Sequence, residues 1–171
     1  MTMKFVKQSF MGIELDVLVG HPEHDLLFVA TQVARAAGLK DPKSSVRQHA
    51  PKASAGVLRV SDVLGDNLSS MRPEGIHAPT WAKMYLFTEA TMYDMLLRGH
   101  APASEPFRKW VTEEVLPSIR KTGTYNIHES ETKEAQQFAG EFAQLHSAIS
   151  ELTSEVLSLK GIIAGCQKPS L

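Results

Sequence analysis

Cysteine is nearly absent: Cys166 stands alone among 171 residues, so no internal disulfide can form and a reducing compartment is expected. Long apolar runs are missing too. Nothing approaches the ~18–20 consecutive apolar residues of a membrane span, and the opening Met-Thr-Met-Lys-Phe-Val lacks a signal peptide's apolar core. The expectation is a cytoplasmic protein with no membrane partner. Enzyme signatures are equally scarce, with no Gly-x-Ser-x-Gly elbow, no phosphate-binding glycine loop and no His-Glu-x-x-His. His21, His24 and Asp25 fall in a proline-bent polar turn, and no other His or Cys stands at ligand spacing. Neither metal, cofactor nor catalytic residue is expected.

No sign of charge dominates either. Eighteen Lys and Arg against nineteen Asp and Glu leave a net charge of −1, which excludes binding a polyanion by bulk charge alone. The distribution is uneven, however. Arg35, Lys40, Lys43, Arg47, Lys52 and Arg59 face only Asp41 over residues 35–59, a local +5. Residues 98–121 carry +2, and the remainder is acidic. Localised basic charge is what a phosphate-facing surface requires. Lys40, Lys43, Arg47, Lys52 and Arg59 are candidate phosphate contacts with Arg35 beside them, while Ser44, Ser45, Arg47 and Gln48 carry groups able to reach base edges. A merely solvated helix face is the plain alternative.

Hydrophobic content of 43% with 22% charge suits one folded domain with an appendage. Alternating apolar residues from Phe5 to Val19 around Met11-Gly12 predict a β-hairpin, and Leu26–Ala30 a third strand. Thr31 opens a helix ending at Gly38, and Asp41-Pro42 opens another through His49. The pair is similar to a helix-turn-helix with a long turn. Residues 51–80, rich in Gly, Ser, Pro and Asn, read as a hairpin with a mobile tip. A strand over Met84–Phe87 and a Thr88-capped helix to Gly99 follow. Trp81, at the start of that strand, is open between core and base stacking.

Next, Ser104 caps a helix over 105–121 in which Phe107, Trp110, Val111, Val115 and Ile119 form one apolar stripe. Arg108, Lys109, Thr112 and Glu113 fall on its wet side, Pro117 predicts a kink, and Gly123 ends the helix. The run Phe107-x-x-Trp110-Val111-x-x-Glu114-Val115-Leu116-Pro117-x-Ile119-Arg120-Lys121-Thr122-Gly123-x-Tyr125 resembles the end of the Bro N-terminal domain of phage antirepressors and baculovirus-repeated-ORF proteins. Phe28-Val29-Ala30-x-x-Val33-Ala34-Arg35-Ala36-x-Gly38-Leu39-x-Asp41-Pro42 and Leu86-Phe87-Thr88-Glu89-x-x-Met92-Tyr93-x-x-Leu96 resemble it as well. Thr31-Gln32 replaces the family's frequent lysine-aspartate pair, and residues 53–82 match little. The resemblance implies a non-enzymatic phage or prophage antirepressor-like regulator in the host bacterial cytosol. Its partners would be double-stranded DNA, a phage repressor protein, or both; a purely protein-binding antirepressor or an assembly module with no direct DNA contact is the alternative.

The tail has its own period. Phe138, Phe142, Leu145, Ile149, Leu152, Val156, Leu159 and Ile163 alternate spacings of four and three, a heptad pattern with Phe142, Ile149, Val156 and Ile163 at a and the others at d. Cys166 takes the next d position. The expected organisation is a Bro-like domain over 1–123, a linker over 124–132, a self-associating coiled-coil helix over 133–166 and a tail over 167–171. Folding of that helix back onto the body is the competing expectation. The fold class is α+β, a small mostly antiparallel sheet with packed helices followed by the C-terminal helix.

Overall fold

The computed structural model describes residues 2–98 and 101–167. The hairpin forms as its alternation requires: β1 (Lys4–Phe10) pairs with β2 (Ile13–Val19), and Met11 and Gly12 turn the chain with φ of 52° and 78°. With β3 (Leu27–Val29), β4 (Val57–Arg59) and β5 (Tyr85–Thr88) they build a five-stranded antiparallel sheet, order β1-β2-β3-β5-β4. Register assigns the faces. Val17, Phe28, Phe87 and Val57 align across the sheet on one side, and Val29, Leu86 and Leu58 on the other. Both sides are buried at the centre, which is why β3 sits in an unbroken apolar run rather than an alternating one.

The first face carries the main core, formed with α1 (Ala30–Ala36), α2 (Pro42–His49), α5 (Glu89–Arg98), α6 (Glu105–Lys109) and α8 (Lys133–Gln167). The second face is covered by α3 (Val60–Leu64) and α4 (Ala78–Lys83), whose Val60, Leu64 and Trp81 pack on Leu18, Leu27, Val29 and Leu86. Trp81 is wholly buried, its indole N–H donating to Leu68 O at 3.1 Å and its ring 5.8 Å from Phe5. It is a core residue, and the mobile hairpin expected at 51–80 is replaced by short helices that seal this face. They are five and six residues long, too short to show helical periodicity.

Two capping expectations change and two hold. The Asp41 carboxylate accepts Ser44 N–H at 3.1 Å, and Thr88 Oγ1 accepts Thr91 N–H at 3.3 Å. Helix α1, by contrast, starts one residue before Thr31 and has no side-chain cap. Ser104 caps nothing; buried, it donates to Ala101 O and accepts from the Arg108 guanidinium. Arg108 also donates to Leu96 O at 3.3 Å and Ala101 O at 2.9 Å. It therefore leaves the wet side and ties the end of α5 to α6.

Helix α6 continues through a π-helical segment, Trp110–Val115, into α7 (Leu116–Thr122), which ends at Gly123 with φ 82°. Pro117 offers no N–H to the preceding turn, and the widened π turn absorbs the resulting register change. The apolar stripe ends there: Phe107 and Trp110 are buried, whereas Leu116 and Ile119 are 55% and 44% exposed. The π segment also places Glu114 under a cluster of donors. Its carboxylate accepts from Trp110 Nε1 at 3.1 Å, Ser130 Oγ at 3.1 Å, Thr132 Oγ1 at 2.6 Å and the Tyr125 hydroxyl. Residues 125–132 are thereby fastened to the domain.

The long helix α8 lies on the domain. Ala135, Phe138, Leu145, Ala148 and Leu152 are buried in the same core as Phe10 and Phe107, with Phe142 and Ile149 packed against it. The d positions expected to face a second helix thus face β1 and β2 as far as Leu152. Phe138 explains the preference: its ring lies 5.4 Å from Phe107, 5.0 Å from Trp110 and 6.2 Å from Phe10. The Glu141 carboxylate accepts Met11 N–H at 2.8 Å, holding the hairpin turn against the helix. Gly20 (φ 92°) makes room at the far end, where a Cβ would meet Thr2 O at 2.4 Å and Leu152 at 3.1 Å. Leu159 is exposed, and the side chains of Val156, Ile163 and Cys166 lie outside the described residues.

These contacts make α8 part of the domain's stability. Phe138→Ala should cost about 3–5 kcal/mol, a large share of a typical ~5–15 kcal/mol, read by chemical denaturation. The two half-buried glutamates should behave oppositely. Burial alone pushes the Glu114 carboxyl up, but hydrogen bonds from Thr132, Tyr125, Ser130 and Trp110 outweigh it and hold the pKa below the ordinary 4.5. Its stabilisation is complete above about pH 4.5 and is lost as pH falls through the depressed value. Glu114→Gln should melt lower than wild type at neutral pH, and the gap should close on acidification. Burial raises the Glu141 pKa against the pull of Met11 N–H and Gln137, so its ionised form costs stability above that raised value. Glu141→Gln keeps an acceptor for Met11; it should melt as high as wild type or higher at neutral pH, and lose that advantage on acidification.

Candidate nucleic-acid interface

The basic residues gather where α1 turns into α2. Val33, Ala34, Ala37 and Val46 are buried in the main core at this corner, leaving Arg35, Lys40, Lys43 and Arg47 exposed. Lys43 and Arg47 are one helical turn apart and share a face. Together the four line a cleft of about 890 Å³ whose other wall is Ile76, His77, Thr80, Lys83 and Tyr85. Val29, Val46 and Met84 contribute apolar surface to it. Asp41 is the one acid in the lining, and its carboxylate is engaged by Ser44 N–H. Among the described residues, Arg35, Lys40, Lys43, Arg47 and Lys83 form no salt bridge. Five uncompensated cations on one concave surface create a local field that attracts polyanions.

The remaining candidates lie elsewhere. Ser44, Ser45 and Gln48 do not line the cleft, and Gln48 Nε2 donates to Ser44 Oγ at 3.3 Å along α2. Arg59 is already engaged: its guanidinium donates to Lys83 O at 3.4 Å and to the Tyr85 hydroxyl at 3.1 Å, and stands 4.9 Å from the Tyr85 ring centroid. It braces the cleft wall through two neutral acceptors, which orient its guanidinium away from the lining. The Lys52 side chain lies outside the described residues.

Sequence reasoning missed Lys83, His77 and Tyr85. Lys83 sits in an acidic stretch, so a count along the chain hides a cation that the β4–β5 pairing carries to the basic corner. Thr31 and Gln32, in place of the lysine-aspartate pair, both line the cleft. Gln32 accepts Asp16 N–H at 2.6 Å and donates to Asp16 Oδ2 at 2.7 Å, pinning α1 to β2. At the other turn, the His21 and His24 rings stack at 5.2 Å, and burial followed by the neighbouring His24 lowers the His21 pKa below 6.5. Among the described residues no three His, Cys, Asp or Glu are placed to hold a metal ion.

This arrangement falls inside a known family. The model of the BRO family, N-terminal domain, matches residues 14–117, more than half of the chain and every described residue of the cleft. The chain belongs to that family. It is 26% identical over 128 residues to an uncharacterized protein of Haemophilus influenzae, covering 73% of this chain and 54% of that one. It is also 26% identical over 146 residues to putative Bro-N domain-containing protein 289L of Invertebrate iridescent virus 6, covering 81% of this chain and 33% of the relative. Putative Bro-N domain-containing protein 019R of Invertebrate iridescent virus 3 is 31% identical over 86 residues, 50% of this chain and 20% of the relative. The chain thus spans about half the length of these relatives or less. No solved structure matches it. Among the described residues no helix is long and apolar enough to cross a membrane.

Proposed function

We propose that this Bro-N domain is a non-enzymatic, antirepressor-like regulator of a phage or prophage, and that its cleft binds double-stranded DNA. The observation that carries the reading is the convergence of Arg35, Lys40, Lys43, Arg47 and Lys83, from separate segments of a chain with net charge −1, on one surface without acidic partners. In this mechanism Lys40, Lys43 and Lys83 hold phosphates and fix the register. Arg47, on the exposed face of α2, is the side chain best suited to a base edge, where a guanidinium gives a bidentate contact. The acidic remainder of the molecule repels the duplex and orients its approach.

The apolar surface from Val29, Val46 and Met84 favours a second reading, in which the cleft grips an acidic segment of a phage repressor and keeps it from its operator. Operator DNA titrated with the protein across a salt series, with and without the repressor, separates the two. Direct binding with a steep negative salt slope supports DNA contact. Loss of the repressor–operator complex without direct binding supports the protein contact.

Two sets of variants sharpen the test. Lys43→Ala and Lys83→Ala should each weaken DNA binding and reduce the slope of log K against log salt by about 0.9 for every phosphate no longer neutralised. An unchanged slope in both would remove the cleft as the DNA face. Arg59→Ala should also weaken binding, because the Lys83–Tyr85 wall loses its brace, yet leave the slope as it is. A reduced slope would show that Arg59 touches phosphate itself.

A further inference from the structure

We infer that α8 beyond Leu152 is a self-association surface, and that its occupant is the same segment of a second copy, paired in parallel. The structure divides the heptad pattern into two parts. At d, Phe138, Leu145 and Leu152 are 0%, 5% and 8% exposed on their own domain, but the next d residue, Leu159, is 51% exposed and Leu157 is 62% exposed. Body contacts hold the first part, and the helix continues to Gln167, about 22 Å further at 1.5 Å per residue. That continuation is unusually apolar. Residues 156–165 read Val-Leu-Ser-Leu-Lys-Gly-Ile-Ile-Ala-Gly, with Lys160 as the one charge. A helix apolar around most of its circumference is stable in water only when covered.

Its register identifies what covers it. Val156 and Ile163 at a with Leu159 at d are the β-branched and leucine choices that favour two parallel strands. Glu155 at g precedes Lys160 at the following e, so in a parallel pair each copy offers an acid to the other's base. An isolated segment this short would be defeated by the cost of helix nucleation. Here that cost is already met, because residues 133–152 are held as helix by the domain. The part of the pattern buried at home is the nucleus for the part that pairs.

Light scattering of the full chain at rising concentration tests this. Wild type should reach the mass of a dimer, and Leu159→Asp should halve that mass, losing only the helical far-ultraviolet signal of the uncovered end beyond Leu152 while the domain keeps a cooperative melt. Leu145→Asp should instead lower the melting temperature, since that position belongs to the domain. A crosslink reads orientation: in a Cys166→Ser background, mild oxidation of Leu159→Cys should give a covalent dimer and Ser158→Cys should not. A wild-type chain that remains monomeric throughout overturns the inference, as does a Leu159→Asp protein of unchanged mass. A dimer in which Leu159→Cys fails to crosslink overturns the parallel arrangement.

Discussion

The fold depends on one aromatic contact set. Phe138 fills the space between Phe10 on the hairpin, Phe107 on α6 and Trp110 on the π segment, with no exposed surface of its own. Phe10 comes from the hairpin and Phe107 and Trp110 from one continuous helix, so the ring fixes the mutual positions of sheet, signature helix and tail. The polar bonds around it follow from that placement. Glu114 reaches Tyr125, Ser130 and Thr132 because the chain must return from α7 to bring Phe138 home, and Glu141 reaches Met11 because Phe138 sets α8 against β1. Two carboxylates near one core then differ in titration because one gathers four donors and the other is mainly desolvated.

The second core, around Trp81, has a different task. It closes the far face of the sheet and, through α4 and the start of β5, sets Lys83 and Tyr85 opposite α1 and α2. The cleft is therefore a junction between the two cores. Arg59 spans this junction with bonds to Lys83 and Tyr85, and Gln32 performs a similar service on the other wall through Asp16. Neither side chain needs to touch a ligand to matter for binding, because a concave surface acts through the spacing of its charges.

Much of this is legible in the amino-acid sequence. Alternation around Met11-Gly12 exposes the hairpin, Asp41-Pro42 marks the start of α2, and the stripe through Phe107 and Trp110 marks a buried helix face. Arg35, Lys40, Lys43 and Arg47 lie within thirteen residues, so a linear count can find them. What stays hidden has physical reasons. Lys83 joins the basic corner only through strand pairing, a non-local event. Arg108 looks solvent-facing by helical period, yet the chain wraps back at Ala101 and surrounds it with acceptors. The heptad pattern is visible but ambiguous, because a helix on a sheet and a helix on a helix both ask for apolar residues at intervals of three and four. Burial decides it as far as Leu152.

The return of α8 to the hairpin separates the segment that defines the family from the unit that folds. The matched span, 14–117, omits β1 at one end and Tyr125, Phe138 and Leu145 at the other. Cut to that span, the polypeptide would keep every cleft residue but leave β2 as a bare sheet edge, with Phe107 and Trp110 open to water. Such an edge beside uncovered aromatic rings is the usual starting point for aggregation. The packed core is accordingly longer than the recognisable segment, and draws on residues from the first strand to Leu152.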